Sequence, residues 1–336
     1  MAKKNVIIPI FIPHKGCPFD CVFCNQKSIS GEIKEVTTDD IKNTIDTFLK
    51  TIRDDIVPQV AFYGGSFTGI DIKEQTIFLE CVYEYIKQGK VSSIRLSTRP
   101  DYINREILDN LKKYGVSTIE LGVQSLNDDV LKKSNRGHTI KQVKDAVRLI
   151  KEYSFSLGIQ TMLGLPGDTN EIAINTAKEV VKLCPDCVRI YPTMVIKNTY
   201  LSKMLQENRY TPLNLEETVD LCAKLCDIYY ENDINVIRIG LQPTENIKDG
   251  GDVIKGPFHP SIRQLVEARM FRDKIEQEVL KKEIKNTLKI YVGERYISEA
   301  VGQHKENIKY LKKKFNIKDI KVYGVKNEGF KYLKVV

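Results

Sequence analysis

The sequence predicts an α/β protein: a partial (β/α)6 TIM-like barrel followed by a small C-terminal α/β appendage. Short apolar runs rich in β-branched residues alternate with segments of helical period, which is typical of parallel βαβ units. Glycines and polar residues recur where the apolar runs end, as expected for the rim that carries active sites in barrels. The pattern changes after Leu241, where a different unit is expected to begin.

Seven apolar runs are the predicted strands of the barrel. They are Val6–Ile12, Val60–Tyr63, Ile94–Ser97, Thr118–Val123, Leu157–Leu163, Val188–Val195 and Val236–Leu241. The predicted helices between them are Asp40–Ile52, Ile77–Lys87, Arg105–Lys113, Ile140–Tyr153, Glu171–Lys182 and Leu215–Glu231. Six or seven such units form a barrel or a large part of one, and an open doubly wound sheet is the alternative.

Four of the predicted strands end in residues that stability alone does not explain. The second strand runs into Gly64-Gly65-Ser66, and the third ends in Ser97-Thr98-Arg99-Pro100. The fourth ends in Gln124-Ser125, and the fifth in Gly164-Leu165-Pro166-Gly167. Because the carboxyl ends of parallel strands share one rim, we expect these residues to lie together at the active site.

The chain is expected to divide into a barrel domain, residues 1–245, and a basic C-terminal α/β extension, residues 246–336. A loop with several glycines and prolines, from Gly250 to Pro260, precedes a predicted helix over Ile262–Val279. A small α/β unit then follows, and its predicted elements are strand Leu288–Val292, helix Lys305–Phe315, strand Ile320–Tyr323 and strand Lys331–Val335.

Composition favours a globular protein without a membrane span. A hydrophobic content of 42% can build a large core, and 29% charged residues between apolar segments argue against disorder. The N-terminal apolar run is interrupted by Pro9 and Pro13 and is too short for a signal peptide. No window approaches the 18 apolar residues that a membrane helix needs. A soluble cytoplasmic protein is therefore expected.

Positive charge is concentrated at the C-terminal end. The chain has a net charge of +8, and residues 281–336 hold 15 lysines and arginines against 6 acidic residues. Such a skew favours a polyanionic partner, and nucleic acid is the expected one. A solvated lysine-rich surface is the alternative.

Three cysteines, Cys17, Cys21 and Cys24, form a C-x3-C-x2-C loop directly after the first predicted strand. Thiolates favour soft metals, and cysteines hold iron–sulfur clusters. Three protein ligands leave one iron open, as in catalytic metal sites. A zinc site completed by His14, or three unrelated buried cysteines, are the alternatives.

The cysteine loop resembles the signature of radical S-adenosylmethionine (SAM) enzymes. Further motifs follow it along the chain, and the set is PHKGCPFDCVFCNQ (13–26), FYGGSFTG (62–69), STRPD (97–101), ELGVQSLNDDVLKKSNRGHT (120–139), MLGLPGD (162–168), VRIYPTMVIKNTYL (188–201) and VEARM (266–270). On these motifs the chain resembles the tRNA uridine-modifying family of the Elongator catalytic subunit and its short bacterial relatives, over roughly residues 5–270. More distantly, the oxygen-independent coproporphyrinogen dehydrogenases share the cysteine-loop and GVQS patterns.

This resemblance implies a partial barrel of radical SAM type with a [4Fe-4S] cluster on the three cysteines. In the family, the open iron binds the methionine group of SAM, and one electron cleaves the sulfonium to a 5′-deoxyadenosyl radical. The protein supplies positioning and excludes side reactions. The implied partners are tRNA, bound through the basic C-terminal region, and an electron donor such as ferredoxin or flavodoxin.

The resemblance also assigns residues to SAM. Gly64 and Gly65 match a diglycine whose backbone approaches the methionine group, although glycine pairs also occur in ordinary turns. Phe23, between two cysteines, matches a residue beside the adenine, and it also suits sealing the cluster from water. Ser97 can bond a ribose hydroxyl.

Further along the chain, Gln124 and Arg136 resemble residues that contact the ribose and carboxylate of SAM, and a guanidinium suits a carboxylate. Glu120 is assigned to the cofactor as well, with pairing to a neighbouring side chain as the alternative. Met162 and Gly164 lie where the family packs the adenine, and Met162 has plain core packing as its alternative.

Three further residues are predicted to contact substrate and complete the catalytic set with the cysteines. Tyr191 lies on the sixth predicted strand and is expected to line the lumen, with a structural place in the barrel wall as the alternative. His259 and Arg263 follow the last barrel strand and are expected to close the pocket. The Elongator family has a histidine at a similar place, but the flanking residues differ here.

The remaining cysteines are expected to be structural or free thiols. Cys184 and Cys187 precede a strand, which places them at the rim away from the chemistry. Cys222 and Cys226 share one helix face. A second metal site is the alternative, and an iron content near eight per chain instead of four would support it.

The chain departs from the full Elongator subunit after Val279. The segment that follows is expected to be too short to form an acetyltransferase domain. The radical chemistry is expected to remain, and RNA modification is the leading prediction. A radical SAM enzyme acting on a small metabolite or a protein is the alternative function. A cluster-bearing electron-transfer or binding protein is a third reading.

Overall fold

The computed structural model of the chain describes residues 6–12, 17, 21–25, 36–53, 55–244, 246–248, 250–282 and 287–336. It forms two compact units, one made of residues up to 213 with 229–258 and the other of residues 214–228 with 259–336. The sequence prediction set a single boundary at residue 245. No helix of the described residues is both long and apolar enough to cross a membrane.

The first unit is built on a curled sheet of seven parallel strands. Their order in the sheet follows the chain, β1-β2-β3-β4-β5-β6-β8. In a doubly wound sheet the order of the strands reverses partway across the sheet. The order found here does not reverse, which confirms the predicted partial barrel. The strands are β1 (Ile7–Ile12), β2 (Gln59–Gly64), β3 (Ile94–Thr98), β4 (Val116–Gln124), β5 (Ser156–Leu163), β6 (Cys187–Pro192) and β8 (Asn235–Ile239).

Helices connect the strands, and side-chain caps fix where several of them begin. The Thr37 side chain accepts from the Asp40 backbone, and the Asp40 carboxylate accepts from the Thr37 backbone, so the first helix begins at Thr38. Two short helices, α4 and α7, escaped the sequence analysis. The helices are α1 (Thr38–Leu49), α2 (Ile72–Lys87), α3 (Arg105–Lys113), α4 (Asp128–Lys133), α5 (Ile140–Glu152), α6 (Asn170–Lys182) and α7 (Tyr200–Gln206).

The sheet buries aliphatic side chains on one face and carries polar ones on the other. Along β3, buried and partly exposed residues alternate. Ile94 and Leu96 are fully buried, whereas Arg95 and Ser97 are partly exposed. The register places Ser97 beside Glu120 on β4. Residues paired in register point to the same side, so the polar face gathers charged groups from neighbouring strands.

The prediction of one continuous strand over Val188–Val195 is wrong. Strand β6 ends at Pro192, and the chain turns as the Thr193 backbone donates to the Leu163 carbonyl at 3.0 Å. Two short segments then form a separate antiparallel pair, β7 (Val195–Ile196) with β9 (Val253–Lys255). An apolar run therefore spans two strands with different partners.

The second unit packs helices on one face of a three-stranded sheet. Strand β10 lies between β11, which runs parallel to it, and β12, which runs antiparallel. Leu288, Ile290 and Val292 of β10 face the core with Phe271 and Leu311 from the helices. The elements are α8 (Leu215–Glu231, up to residue 228), α9 (Ile262–Leu280), β10 (Thr287–Gly293), α10 (Ile297–Val301), α11 (Glu306–Phe315), β11 (Asp319–Val325) and β12 (Leu333–Val335).

Candidate active site

The described part of the cysteine loop is anchored to two helix ends by main-chain hydrogen bonds. The Val22 backbone donates to the Ser134 carbonyl at 3.1 Å, just after α4. The Leu201 backbone in α7 donates to the Val22 carbonyl at 2.7 Å. The Asn25 side chain donates to the Lys197 carbonyl at 2.9 Å. The two short helices that sequence analysis missed therefore fix the position of the loop.

The thiols of the loop lie in a positively charged environment. The Arg136 guanidinium donates from Nη1 to Cys21 Sγ at 3.4 Å. Burial raises the pKa of the Cys17 thiol, while the positive charges of Arg136 and Arg99 oppose that rise and a Cys21 thiolate adds to it. The two guanidinium groups thus offset part of the effect of burial on Cys17, and positive charge beside a thiol is the kind of environment that metal-binding cysteines use.

The three cysteines have the chemistry of an iron–sulfur ligand set. Three thiols on one short loop beside guanidinium groups are suited to a cluster with one open iron. No three Cys, His, Asp or Glu side chains of the described ranges are gathered closely enough to hold a metal ion. His14, the fourth ligand of the zinc alternative, lies outside the described residues. Cluster binding at Cys17, Cys21 and Cys24 stays a prediction.

The diglycine at the end of β2, Gly64 and Gly65, lies against the end of β1. The Gly65 backbone donates to the Ile12 carbonyl at 2.8 Å. Gly64 has φ +108°, and a Cβ there would lie 2.7 Å from the Ile12 oxygen. Both the conformation and the close approach require glycine. These contacts give the pair a structural reason in addition to the cofactor role predicted for it.

Replacing Gly64 by alanine is expected to destabilise the first unit more than the same change at Gly89. Gly89 also has a positive φ, +71°, but no atom lies within 4 Å of an added Cβ. The backbone conformation alone costs about 1–2 kcal/mol, and the clash at Gly64 adds roughly 1–3 kcal/mol. Urea unfolding of the two variants measures the difference, and equal losses would show that the Ile12 contact is not the constraint.

The end of β4 brings together the residues predicted to contact the ribose and carboxylate. Gln124 is buried and has φ +66°, next to a register shift between Gly122 and Gln124. Arg136 donates from Nη2 to the Gly122 carbonyl at 2.7 Å. A Cβ on Gly122 would lie 2.8 Å from that guanidinium and 3.1 Å from the Gln124 amide. The glycine therefore makes room for both side chains.

Both side chains have buried polar atoms without a hydrogen-bond partner among the residues that the structure describes. Gln124 Oε1 and Arg136 Nε are buried and have no hydrogen-bond partner among the described residues. Buried polar groups are normally hydrogen-bonded, and exceptions call for an explanation. A ligand with hydroxyl and carboxylate groups at this strand end provides one, so these residues fit the predicted cofactor.

A group of buried hydroxyls and an ion pair that sequence analysis missed fix the neighbouring strand ends. Thr98 Oγ1 lies 2.9 Å from Ser66 Oγ and 2.5 Å from Thr68 Oγ1. Arg99 is 2% exposed and forms a two-point ion pair with Asp101 at 2.9 and 3.0 Å. The signal was present in the STRPD motif, where an arginine and an aspartate flank a proline.

Glu120 forms buried ion pairs on the polar face of the sheet. Its carboxylate accepts from Arg95 at 2.9 Å and from Arg189 at 3.1 Å, and the Tyr63 hydroxyl lies 3.4 Å away. A Cβ on Gly158 of β5 would meet the Glu120 side chain at 2.8 Å, so the glycine leaves room for it. These are the contacts of the neighbour-pairing alternative, and the cofactor role of Glu120 stays a prediction.

Tyr63 and Tyr191 lie within reach of this charged group. The Tyr63 hydroxyl accepts from Arg189 at 2.8 Å, and its ring packs against the Arg189 guanidinium. Burial first, and then the Glu120 charge, raise the pKa of Tyr63 to about 12. Tyr191 follows Arg189 by two positions on β6 and shares its face. Tyr191 therefore lies on the polar face, as its predicted role requires.

A pocket of about 600 Å³ opens at the end of β5. The Gly164 backbone donates to Asp168 at 2.9 Å, and the Gly164 carbonyl accepts from the Tyr210 hydroxyl at 2.5 Å. Burial raises the pKa of the Asp168 carboxyl to about 6. The pocket is lined by Lys133, Gly164, Leu165, Pro166, Gly167, Asp168, Tyr200, Met204, Arg209, Tyr210, Thr211 and Leu213.

Phe23 and Met162, both predicted to contact the adenine, have different surroundings. Phe23 packs against an apolar group that includes Val195, Leu201 and Tyr210, and Tyr210 also lines the pocket. Met162 pairs in register with Tyr191 and is therefore on the polar face of the sheet. Ser97 shares that face, beside Glu120.

His259 and Arg263 belong to the second unit. The His259 Nδ1 accepts from the Ser261 backbone at 3.1 Å. Arg263 pairs with Glu267 one turn later on α9 at 2.8 Å, and its side chain is 40% exposed. Their predicted contact with substrate stays a prediction.

The other cysteines differ in exposure. Cys222 and Cys226 are fully buried on α8, and burial raises the pKa of Cys222 to about 12. Burial also raises the pKa of Cys81 and of Cys187, whereas Cys184 is exposed. Thiols buried in apolar surroundings are inert, which agrees with a structural role for the α8 pair.

His138 is a buried histidine that contacts the end of β4. It is 3% exposed, and its Nε2 is 3.2 Å from the Val123 carbonyl. Burial, followed by the charges of Arg136 and Arg99, lowers the pKa of His138 to about 3. An unfolded histidine titrates near 6.5. The native state therefore binds fewer protons below pH 6.5, and stability falls as the pH falls toward 3.

Replacing His138 by glutamine is expected to remove this pH dependence. A pH of 5 is about 1.5 units below the pKa of an unfolded histidine. Protonation of His138 there stabilises the unfolded state by about 2 kcal/mol. The difference in unfolding free energy between wild type and variant should therefore shrink by about 2 kcal/mol from pH 7 to pH 5. Urea titrations at both pH values measure it, and parallel pH curves for the two proteins would contradict the expectation.

Comparison with known proteins gives two sequence matches along the chain. The family model described as the radical SAM superfamily matches residues 11–180. The model of the radical SAM C-terminal domain matches residues 185–272.

Two curated relatives are similar over part of their length. A tRNA uridine(34) acetyltransferase from Dehalococcoides mccartyi is 30% identical over 233 residues, which are 63% of this chain and 50% of that protein. Elongator complex protein 3 from Saccharomyces cerevisiae is 32% identical over 179 residues, 52% of this chain and 31% of that protein. The chain thus spans half or less of these relatives.

Two solved structures share the fold. Elp3 from the archaeon Methanocaldococcus infernus superposes with a TM-score of 0.65 and 19% identity, covering 82% of this chain and 64% of that one. Coproporphyrinogen III oxidase from Escherichia coli gives a TM-score of 0.52 and 19% identity, covering 69% of this chain and 54% of that one. At these identities the likeness shows the fold alone.

Proposed function

Because the chain belongs to the radical SAM superfamily, an enzyme family whose members bind a [4Fe-4S] cluster and SAM, we propose that Cys17, Cys21 and Cys24 hold that cluster. When bound, the cluster supplies the electron that cleaves SAM and yields a 5′-deoxyadenosyl radical. The strand ends beside the cysteine loop then bind SAM. The chain's own residues position the cofactor and exclude water.

The observation that carries this proposal is the position of Arg136. Its guanidinium donates one hydrogen bond to Cys21 Sγ at 3.4 Å and another to the Gly122 carbonyl at 2.7 Å. One side chain therefore ties the cysteine loop to the end of β4, where Gln124 has a buried, unsatisfied amide oxygen in the described structure. Arg136 and Gln124 would hold the carboxylate and ribose of SAM at this junction.

We propose contacts with SAM for the other residues at the carboxyl ends of the strands. Gly64 and Gly65 expose backbone toward the methionine group, and Ser97 lies on the adjoining strand for a ribose hydroxyl. Arg136 orients the carboxylate through a planar fork of donors. We assign Phe23, Met162 and Gly164 to the adenine. Glu120 is assigned to the cofactor as well, with its carboxylate held by Arg95 and Arg189.

We propose that the substrate is tRNA. Two observations support this proposal. The similar protein from Dehalococcoides mccartyi is a tRNA uridine(34) acetyltransferase, and positions 281–336 hold 15 basic against 6 acidic residues. Tyr191, His259 and Arg263 are the proposed substrate contacts. A one-electron donor such as ferredoxin or flavodoxin supplies the electron.

The test is anaerobic reconstitution with iron and sulfide, reduction, and measurement of 5′-deoxyadenosine with and without added tRNA. We expect tRNA to stimulate product formation and to bind in a salt-sensitive manner. Stimulation by a metabolite or protein extract and not by tRNA would instead support the alternative substrate class. Reduced protein that does not turn over SAM would contradict the radical function itself.

A further inference from the structure

One face of the sheet in the second unit is open and carries aromatic and basic side chains. Helices cover the opposite face, through Leu288, Ile290 and Val292. The alternating residues of β10 are partly or fully exposed, and those of β11 and β12 lie beside them in register. We call the following residues the open sheet face: Lys289, Tyr291, Lys321, Tyr323 and Lys334.

Two tyrosines stack at the centre of the open sheet face. Tyr291 and Tyr323 are register partners on β10 and β11, and their ring centroids are 5.1 Å apart with an interplanar angle of 21°. Tyr323 is 40% exposed. The solvent side of a sheet is where aromatic side chains are accessible to the bases of single-stranded nucleic acid, which stack on them. The stacked pair offers a ring surface that a further flat ring can extend.

Three lysines surround the tyrosine pair. Lys289 and Lys321 are register partners, and Lys334 lies across from Tyr291 on β12. Asp319 precedes Lys321 by two positions on β11, and its carboxylate lies 3.9 Å from the ammonium groups of Lys321 and Lys312. Lys289 and Lys334 have no ion-pair partner in the part of the chain that the structure describes. The open sheet face is therefore positively charged around an aromatic centre.

We propose that the open sheet face binds single-stranded RNA, with a base stacked on the Tyr291–Tyr323 pair and phosphates bound by Lys289, Lys321 and Lys334. This inference rests on the proposed function, which makes RNA the substrate, and it adds the surface and the form of RNA that is recognised. Open sheets with exposed aromatic residues bind unpaired bases by stacking, and lysines beside them follow the backbone.

The combination of side chains favours unpaired RNA over a duplex. Bases inside a duplex are already stacked on each other, so they cannot pack on a tyrosine without unpairing. A purely basic surface would bind duplex and single strand alike through phosphates. The tyrosines therefore predict a preference for loops and single strands, such as those of a folded tRNA.

The experiment uses the full chain and a labelled, unstructured single-stranded RNA of about twelve nucleotides, a length within the site sizes of such surfaces. Affinity is measured by fluorescence anisotropy at several salt concentrations, with the same sequence as a duplex for comparison. Tyr323→Ala is expected to weaken single-strand binding about tenfold, and Tyr323→Phe to stay within about twofold because the ring remains. Duplex RNA is expected to bind more weakly and to be insensitive to Tyr323→Ala.

Matched lysine variants separate the open sheet face from general charge. Lys289→Ala with Lys334→Ala is expected to lower the salt slope of single-strand binding by about 1.4, since each phosphate contact contributes about 0.7. Lys309→Ala with Lys313→Ala removes the same charge from exposed positions on α11 and should leave affinity nearly unchanged. Thermal unfolding of each variant checks that the second unit is intact.

The outcomes distinguish this proposal from the proposed function. Equal single-strand affinity for wild type and Tyr323→Ala, or tighter binding of the duplex, would overturn the role of the open sheet face, even if tRNA stimulates 5′-deoxyadenosine formation. Loss of binding in the Tyr323 and sheet-lysine variants with no effect of any RNA on turnover would support the surface and contradict RNA as the substrate. A single-strand DNA of the same sequence that binds more tightly than RNA would overturn the choice of RNA.

Discussion

Replacing Cys21 by alanine is expected to give a folded protein that holds no [4Fe-4S] cluster and forms no 5′-deoxyadenosine. Cys21 is 7% exposed and accepts from the Arg136 guanidinium at 3.4 Å. With three protein thiolates as the whole ligand set, loss of one leaves two irons without a protein ligand, and the cluster is not retained. We expect iron to fall from about four atoms per chain to less than one, and SAM cleavage to fall below detection.

Iron and sulfide content, together with the electron paramagnetic resonance signal of the reduced protein, measure this loss without relying on turnover. Cys184→Ala is the matched control, because Cys184 is an exposed thiol away from the loop. That variant should keep the wild-type iron content and signal. Retention of iron by Cys21→Ala, or equal loss in both variants, would refute the assignment of Cys21 as a ligand. An iron content near eight atoms per chain in the wild type would support the alternative of a second metal site.

Replacing Glu120 by glutamine is expected to be the most destabilising single change on the polar face of the sheet. Its carboxylate is 2% exposed and pairs with Arg95 and Arg189, whose side chains are 14% and 13% exposed. The amide has nearly the same shape, so the variant removes the charge and leaves two buried guanidinium groups uncompensated. Breaking a buried ion pair in this way costs about 3–5 kcal/mol.

Urea unfolding of the full chain at neutral pH measures the loss. Glu152→Gln is the control, because Glu152 also pairs with two arginines, Arg105 and Arg148, but at the surface. Exposed ion pairs of this kind contribute little, since water already solvates both partners, so its unfolding midpoint should stay close to that of the wild type. Similar shifts for the two variants would show that burial of the Glu120 group has no special cost.

The parts of the fold that the sequence predicted are those with a local signal. The strands β1 to β6 and β8 are buried on one face or both, so they read as apolar runs rich in β-branched residues, and helices α3 and α8 begin and end where the periodicity does. The rim residues Gly64, Gln124 and Gly164 stand out where these apolar runs end, and all three have a positive φ. Local pattern was therefore enough for the barrel and for the position of its rim.

The parts that escaped prediction depend on contacts between distant segments. The pairing of Glu120 with Arg189 joins residues 69 positions apart, and no local pattern indicates it. The split of the sixth predicted strand at Pro192 depends on β9, which pairs with Val195 and Ile196 from far along the chain. Helices α4 and α7 are six and seven residues long, too short for a helical period to be visible.

The order of the strands in the sheet has a consequence for how the protein is made. Because each strand pairs with the next one along the chain, the barrel can assemble from its N-terminal end while synthesis continues. Cys17, Cys21 and Cys24, the proposed cluster ligands, leave the ribosome with the first βα unit, and Arg136, which donates to Cys21, follows Cys21 by 115 residues. At about 5–20 residues per second this is a delay on the order of ten seconds. During that interval the loop lacks the guanidinium that ties it to the end of β4, so we expect cluster insertion only after Arg136 has been synthesised.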